Sequence, residues 1–487
     1  MVVAEKPTHQ KTRIVSVVAA TAIALACGTN YAYSAWAPQF AEKLQLSTTQ
    51  SNIIGTSGNM GMYAAGIPVG IITDRKSPRL AGLIGMLSLF AGYYPIHIAY
   101  DEGAGSMSVA LLSFCSFLSG VGSCAAFQAA LKVATLNWPT HRGTATAFPL
   151  AAFGLSAFFY TFIAGVAFPG DISSLLVLLS FGTSMVVLVA LPFLHVVDHK
   201  TGTGSNGSKD SSRYSSSSIP QQEPNNDERD DDSDETSSLL SGPGDLLPED
   251  EAAGRATLLY KFEFWQIWVI MGLLTGVGLM TINNIGHDAQ ALWNHWDASA
   301  SKDFVAHRQL WHVSIISLGS FSGRLLSGIG SDVIVKRLGG SRFWCVVAAA
   351  TVFLIAQFCA TRIEDPHHLW AVSGLCGLAY GILFGVLPAV VIDVFGADGF
   401  AVNWGFMTLA PVVSGNVFNL FYGAVYDSHS EVQVGGEFNC DEGIICYKAA
   451  YYVTLVSSAL GIVACLWAIQ TEHAAKRKAE ELEDHRA

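Results

Sequence analysis

Gly70-Ile71-Ile72-Thr73-Asp74-Arg75-Lys76-Ser77-Pro78-Arg79 decides how the rest of the chain is read. One apolar segment, 52–73, runs into this stretch and another, 80–99, runs out of it. The glycine lets two helices approach closely. The charges that follow are too costly for hydrocarbon, so they mark a short polar turn between two membrane-crossing helices. Gly328-Ile329-Gly330-Ser331-Asp332 repeats the start of the pattern 258 residues later, again at the end of an apolar segment and with Arg342 beyond it. Pro149 followed by Gly154 returns as Pro411 followed by Gly415, at offsets of 262 and 261 residues. Near-constant offsets of this kind mark a chain built from two related halves, with small insertions in the loops.

Composition agrees with this reading. Of 487 residues, 51% are hydrophobic and 14% charged, against about 25% charged in an ordinary soluble domain. Mean hydropathy is +0.38. A soluble chain could not keep so much apolar surface from water, which argues against a soluble enzyme and a secreted disulfide scaffold. A nucleic-acid binder would need a basic patch, whereas this chain has a net charge of −12. That charge is local: residues 198–255 carry 14 acids and 5 bases, a net −9 that leaves only −3 for everything else.

Twelve apolar segments are long enough to cross ~30 Å of hydrocarbon as helices. They are 14–37, 52–73, 80–99, 107–131, 144–168 and 172–195, then 264–285, 310–329, 343–362, 369–392, 400–422 and 449–469. With no water to pair backbone groups, such segments are helical. The expected fold is an all-α polytopic membrane protein with twelve transmembrane helices in two pseudo-symmetric six-helix bundles. The first bundle takes residues 1–197, an acidic linker 198–258, the second bundle 259–470 and a charged tail 471–487. The linker is rich in Ser, Gly, Asp and Asn and buries too little apolar area to offset its chain entropy, so disorder is expected there. Lys11, Arg13, Arg75, Lys76, Arg79, Arg142, Lys336, Arg337, Arg342 and Arg477 gather on one side. That side reads as cytoplasmic, with both termini and the linker on it. The sequon at Asn206 lies in the linker and should stay unglycosylated.

The Gly70-to-Arg79 turn, its degenerate second copy and the twelve segments resemble the major facilitator superfamily, whose signature loop lies at this place. Thr29-Asn30-Tyr31-Ala32-Tyr33-Ser34, Asn137-Trp138-Pro139 with Arg142-Gly143, and Phe395-Gly396 through Asn403-Trp404-Gly405 are similar to its nodulin-like branch. Arg324-x-x-x-Gly328-x-x-x-Asp332 is similar to the monocarboxylate transporters, and the wording of 395–405 looks like fungal members related to both groups. The resemblance implies a secondary transporter of a small polar or anionic metabolite, a carboxylate among the candidates, working by rocker-switch alternating access. It also favours the vacuolar membrane, with the plasma membrane as the alternative. Two departures bear on coupling: Ser320 stands where the monocarboxylate transporters carry an acid, and nothing ionisable lies between Arg13 and Glu42, where they carry a lysine.

On this reading Arg324 contacts the substrate, since an intramembrane guanidinium is aimed at a partner or a cavity and its planar fork suits a carboxylate. Snorkelling to the nearby cytoplasmic end is the competing explanation. Asn30, Tyr33, Asn283, Asn284 and Asn416 are candidate helpers, because the resemblance places their spans around the cavity; simple interhelical hydrogen bonding is the alternative. Asp74, Arg75, Arg79, Asp332 and Asp393 are candidate gating residues, charges that pair in one state and release in another. His287 and Asp288 read as interfacial; if protons couple transport, they are the nearest approach to a relay. Gly377-x-x-x-Gly381-x-x-x-Gly385 reads as a close-packing face.

Seven of nine cysteines fall inside spans. Cys440 and Cys446 share the last non-cytoplasmic loop, where a disulfide forms if the compartment is oxidising and free thiols remain if it is not. Glu235-Thr-Ser-Ser-Leu239-Leu240 fits an acidic dileucine sorting signal read by adaptor proteins. No Walker A, His-Glu-x-x-His, Gly-x-Ser-x-Gly or Cys-x-x-Cys motif is present, so neither an enzyme nor ATP-driven transport is expected. No cofactor or metal is expected. Expected partners are membrane lipid, a small-molecule solute and sorting adaptors, with no nucleic acid and a monomeric chain. The alternative function is a non-transporting receptor or scaffold of the same fold that senses a solute and signals through the linker.

Overall fold

The computed structural model describes residues 7–137, 142–196, 260–297, 299–395, 400–432 and 438–484. The linker and its Glu235, Leu239 and Leu240 lie outside the described residues. The first half comprises α1 (Pro7–Cys27), α2 (Ala37–Leu44), α3 (Thr48–Ala64), α4 (Gly66–Arg75), α5 (Pro78–Glu102), α6 (Val109–Asn137), α7 (Arg142–Ala167), α8 (Ile172–Val177) and α9 (Thr183–Ala190). The second comprises α10 (Phe262–Trp296), α11 (Lys302–Leu338), α12 (Phe343–Ala360), α13 (Trp370–Phe395), α14 (Phe400–Met407), α15 (Leu409–Ser428) and α16 (Ile445–Asp484). A two-residue antiparallel pair, β1 (Glu431–Val432) with β2 (Phe438–Asn439), links α15 to α16.

Among the described residues, ten helical stretches are long and apolar enough to cross a membrane. The expected count of twelve differs at the second and eleventh segments, each of which is divided. α3 gives way to α4 at Ala65 (φ −74°, ψ −7°), and α14 to α15 at Thr408 (φ −69°, ψ −8°). Both breaks fall three residues before a proline, Pro68 and Pro411. A proline lacks the N–H that would bond the carbonyl four residues back, here Ala64 and Met407, so each helix yields at that point. The two broken segments pack against each other. Thr408 Oγ1 donates to the Tyr63 carbonyl at 3.3 Å, so one break braces the other.

The first segment is also irregular. α1 ends at Cys27, and Thr29–Ala35 winds as a 3-10 helix. Gly28, between them, sits so close to α7 that an added Cβ would lie 2.2 Å from the Phe153 carbonyl oxygen. The glycine face on α13 packs as expected against α11. A Cβ at Gly377 would meet the Ile316 carbonyl at 2.3 Å, and one at Gly381 the Ser320 carbonyl at 2.2 Å.

Cys440 and Cys446 are joined by a disulfide in the structure. Cys27, Cys115, Cys124, Cys345, Cys376 and Cys465 are free and buried. The bridge lies at the start of α16, which continues unbroken for 40 residues, through the span and into the charged segment beyond Gln470.

Candidate functional site between the two halves

Two polar seams join the halves among the described residues. In the first, α11 runs beside α7. Ser317 Oγ donates to the Gly154 carbonyl at 2.8 Å and accepts the Phe158 N–H at 3.0 Å. A serine of the second half thus enters the helical ladder of the first, the kind of insertion that opens or bends a helix. Thr161 and Ser314 hydroxyls meet at 2.9 Å, and Gln39 donates to Gln309 at 2.6 Å. In the second seam α15 runs beside α3, from the Thr408–Tyr63 bond to Asp427, whose carboxylate accepts the N–H groups of Thr48 at 2.6 Å and Thr49 at 2.9 Å.

A small cleft lies between the seams, lined by Tyr31, Gly154, Ile282, Ser317, Ser320 and Tyr380. Three tyrosines from three segments close one wall. Tyr63 and Tyr380 hydroxyls are 2.7 Å apart, and Tyr31 lies 3.3 Å from each. Arg324 sits one helical turn beyond Ser320. Its guanidinium lies 5.6 Å from the Phe153 ring centre and against Gly154, where an added Cβ would be 2.2 Å from Nη1. Its Nη1 reaches the Leu150 carbonyl at 3.4 Å. No carboxylate among the described residues is within ion-pair distance of it. Ser320 Oγ, one turn away, is buried with no hydrogen-bond partner among the described residues. A half-buried cation beside an unpartnered hydroxyl and three further hydroxyls can hold a small anion or polar solute.

The proposed helpers fall in different places. Asn30 donates to the Gly58 carbonyl at 3.1 Å and accepts from Tyr93, and Tyr33 bonds Ser51, so both face into the first half. The 3-10 winding accounts for this, because it turns Tyr31 to the cleft and its neighbours away from it. Asn283 accepts from Asn59 across the halves at 3.4 Å, and its Nδ2 is buried without a partner among the described residues. Asn284 donates to Asn419 at 2.8 Å within the second half, and Asn416 to its own helix at Val412. The tyrosine trio was not singled out in the sequence; two of its members, Tyr63 and Tyr380, look there like ordinary aromatic residues of apolar segments.

The basic face carries the candidate gating charges. Arg342 bonds Asp332 at 3.0 Å and Asp393 at 2.7 Å, so the second copy of the loop is a closed ion triad. Burial opposes the charge on Arg342, but its bonds and charge interactions with the two carboxylates outweigh that and hold its pKa above the ordinary value. Arg79 instead bonds the Leu194 carbonyl at 3.0 Å and His195, both in its own half. The side chains of Asp74 and Arg75 lie outside what the structure describes. On the opposite face, Lys302 pairs with Glu42 across the halves. His287 and Asp288, expected at an interface, are buried instead, 5% and 1% exposed, because α10 extends beyond them to Trp296 and α15 and α16 cover them. Among the described residues no three His, Cys, Asp or Glu side chains are grouped as a metal site requires.

This architecture can be set beside known proteins. Residues 13–218 match the Nodulin-like family model. An uncharacterized membrane protein of Saccharomyces cerevisiae is 28% identical, over 92% of this chain and 93% of that one. The probable transporter MCH1 of Gibberella zeae is 24% identical, over 94% of this chain and 90% of its own length. Among solved structures, a bacterial homologue of the human lysosomal transporter Spinster superposes with a TM-score of 0.58 at 15% identity, covering 97% of this chain and 98% of that one. The chain is therefore an integral, multi-pass membrane protein with the fold of the major facilitator superfamily. Its sequence matches, the Nodulin-like model over residues 13–218 and fungal relatives described as probable transporters MCH1, lie alongside that fold.

Proposed function

We propose that the protein is a secondary transporter of a small polar or anionic metabolite, a carboxylate being the best fit, working by alternating access of the inter-half cleft. The observation that carries this is Arg324. Its guanidinium lies beside the cleft, packed on Phe153 and Gly154, and no carboxylate among the described residues neutralises it. A small anion would supply that charge. The relatives described as probable transporters support movement of a solute. The seams support alternating access, since each is held by separable polar contacts between two bundles. We further place the basic face, both termini and the linker in the cytoplasm. The disulfide on the opposite face is consistent with an oxidising compartment there. The dileucine motif favours a vacuolar membrane, and Leu239→Ala with Leu240→Ala should redirect a tagged protein.

Uptake of a panel of radiolabelled small carboxylates and neutral polar metabolites into proteoliposomes tests the function. At least one anion should accumulate saturably, and Arg324→Ala should lower its kcat/KM by more than about tenfold, roughly the 1.4 kcal/mol of one lost charge-assisted contact. Undiminished anion uptake by the variant would remove Arg324 from the site.

A further inference from the structure

Asp288 lies inside the membrane-spanning part of α10, 1% exposed. Its Oδ1 accepts from Tyr422 at 2.6 Å and its Oδ2 from Tyr451 at 2.5 Å. No cation among the described residues is within ion-pair distance. An ionised carboxylate in such a place keeps only two hydroxyl donors against a large desolvation cost, whereas a carboxyl bearing a proton carries no charge to desolvate. The groups facing it can be named element by element. Tyr422 and Tyr426 come from α15 and Tyr447 and Tyr451 from α16; behind these tyrosines lie Asp427 at the end of α15, Asp441 of the disulfide loop and Cys376 of α13, and His287 precedes Asp288 on its own helix. None of these except His287 can be a cation, and His287 Nε2 is itself buried with no partner among the described residues.

The cage is joined to the seam. Tyr422 stacks on Tyr426, with ring centres 5.9 Å apart, and the His287 ring lies 5.6 Å from Tyr426. The next residue is Asp427, which holds the first amides of α3 in the other half. Tyr422 and Asp427 thus share the last turns of α15. When Asp288 is ionised, both tyrosine hydroxyls are fixed as donors to it. When it takes a proton, the bond from Tyr422 passes from a charged to a neutral acceptor and the anchor at the end of α15 weakens.

We infer that Asp288 is a proton-binding site whose occupancy sets the grip of Asp427 on α3, so that the disulfide-bearing face opens when Asp288 is protonated. The inference rests on the transport reading for its physiological meaning, making solute movement proton-linked through a group distinct from Arg324. Its test needs no solute. Infrared difference spectra of the purified full-length protein, taken between about pH 4 and about pH 9, should contain a protonated-carboxyl band that is lost in Asp288→Asn. In Tyr422→Phe the band should persist but shift in frequency, because that hydroxyl bonds the same carboxyl. Amide exchange at Thr48 and Thr49, corrected for its intrinsic pH dependence, should quicken in wild type as the band grows, and should be fast and pH-independent in Asp288→Asn. Identical spectra for wild type and Asp288→Asn would overturn the site. A titrating band with Thr48 and Thr49 exchange unchanged across pH would overturn the link to the seam. Neither result depends on whether a transported solute has been found.

Discussion

Asp427, near the end of α15 in the second half, holds Thr48, the first residue of α3 in the first half, through its backbone N–H at 2.6 Å. A carboxylate on free helix-start amides is a strong cap, and here it is supplied by the opposite bundle. Asp427→Asn keeps the shape but removes the charge, which should cost about 1 kcal/mol at the seam. Hydrogen exchange at Thr48 and Thr49 should accelerate by about fivefold or more, with helices away from the seam unchanged.

Gly154 is where Arg324 crosses to the first half. A methyl group there would meet Nη1 at 2.2 Å, so Gly154→Ala must push the guanidinium aside. The arginine is the flexible partner, and the fold should survive with a loss of no more than about 2 kcal/mol. In proteoliposomes the expected result is a raised KM for the transported anion with little change in protein yield or melting temperature.

Tyr63→Phe removes the hydroxyl at the 2.7 Å contact with Tyr380. Tyr31 remains 3.3 Å from Tyr380, so one hydrogen bond replaces the trio and the stability loss should be about 1 kcal/mol. If the trio also contacts solute, competition assays should show affinity falling more for polar than for apolar analogues.

Reduction of the Cys440–Cys446 bridge opens a loop with a sequence separation of only 6. Loop-closure entropy for so short a ring amounts to about 2 kcal/mol. A modest fall in melting temperature on adding reductant is expected, matched by the Cys440→Ser, Cys446→Ser double variant. Thiol labelling of the unreduced protein should leave both sulfurs unmodified.

Arg342 is 17% exposed, but its partners Asp332 and Asp393 are 55% and 50% exposed. Solvent screens such pairs, so Arg342→Gln should change stability by less than about 1 kcal/mol. Because the folded state raises the Arg342 pKa, its contribution is fully present below the unfolded value and fades only as pH climbs through the raised one. The difference in melting temperature between wild type and variant should thus stay constant across the neutral range. A larger effect is expected on the rate at which the basic face opens, measured by distance changes between spin labels on the two bundles.

Much of this fold was legible because the membrane leaves few choices: apolar runs of sufficient length become helices, and charged turns separate them. The glycine face of α13 followed from spacing alone. What escaped the sequence was local winding. The 3-10 stretch at Thr29–Ala35 reverses which of Asn30, Tyr31 and Tyr33 meets the cleft, and a regular helical period gives no sign of it. The breaks at Ala65 and Thr408 had a signal in Pro68 and Pro411, but only contact between distant segments makes them a matched pair. His287 and Asp288 were misplaced for a related reason: hydropathy stops where polar residues begin, whereas α10 continues to Trp296.

α16 begins beside the disulfide, passes Asp288 at Tyr451, and 21 residues later offers Glu472 as the acceptor for the Ser341 hydroxyl, next to Arg342. At 1.5 Å per residue its 40 residues make a rod of about 60 Å. Such a rod cannot move at one membrane surface alone. A fluorophore attached near its far end would therefore serve as a remote pointer, reporting from one side of the bilayer what the tyrosine cage does near the other.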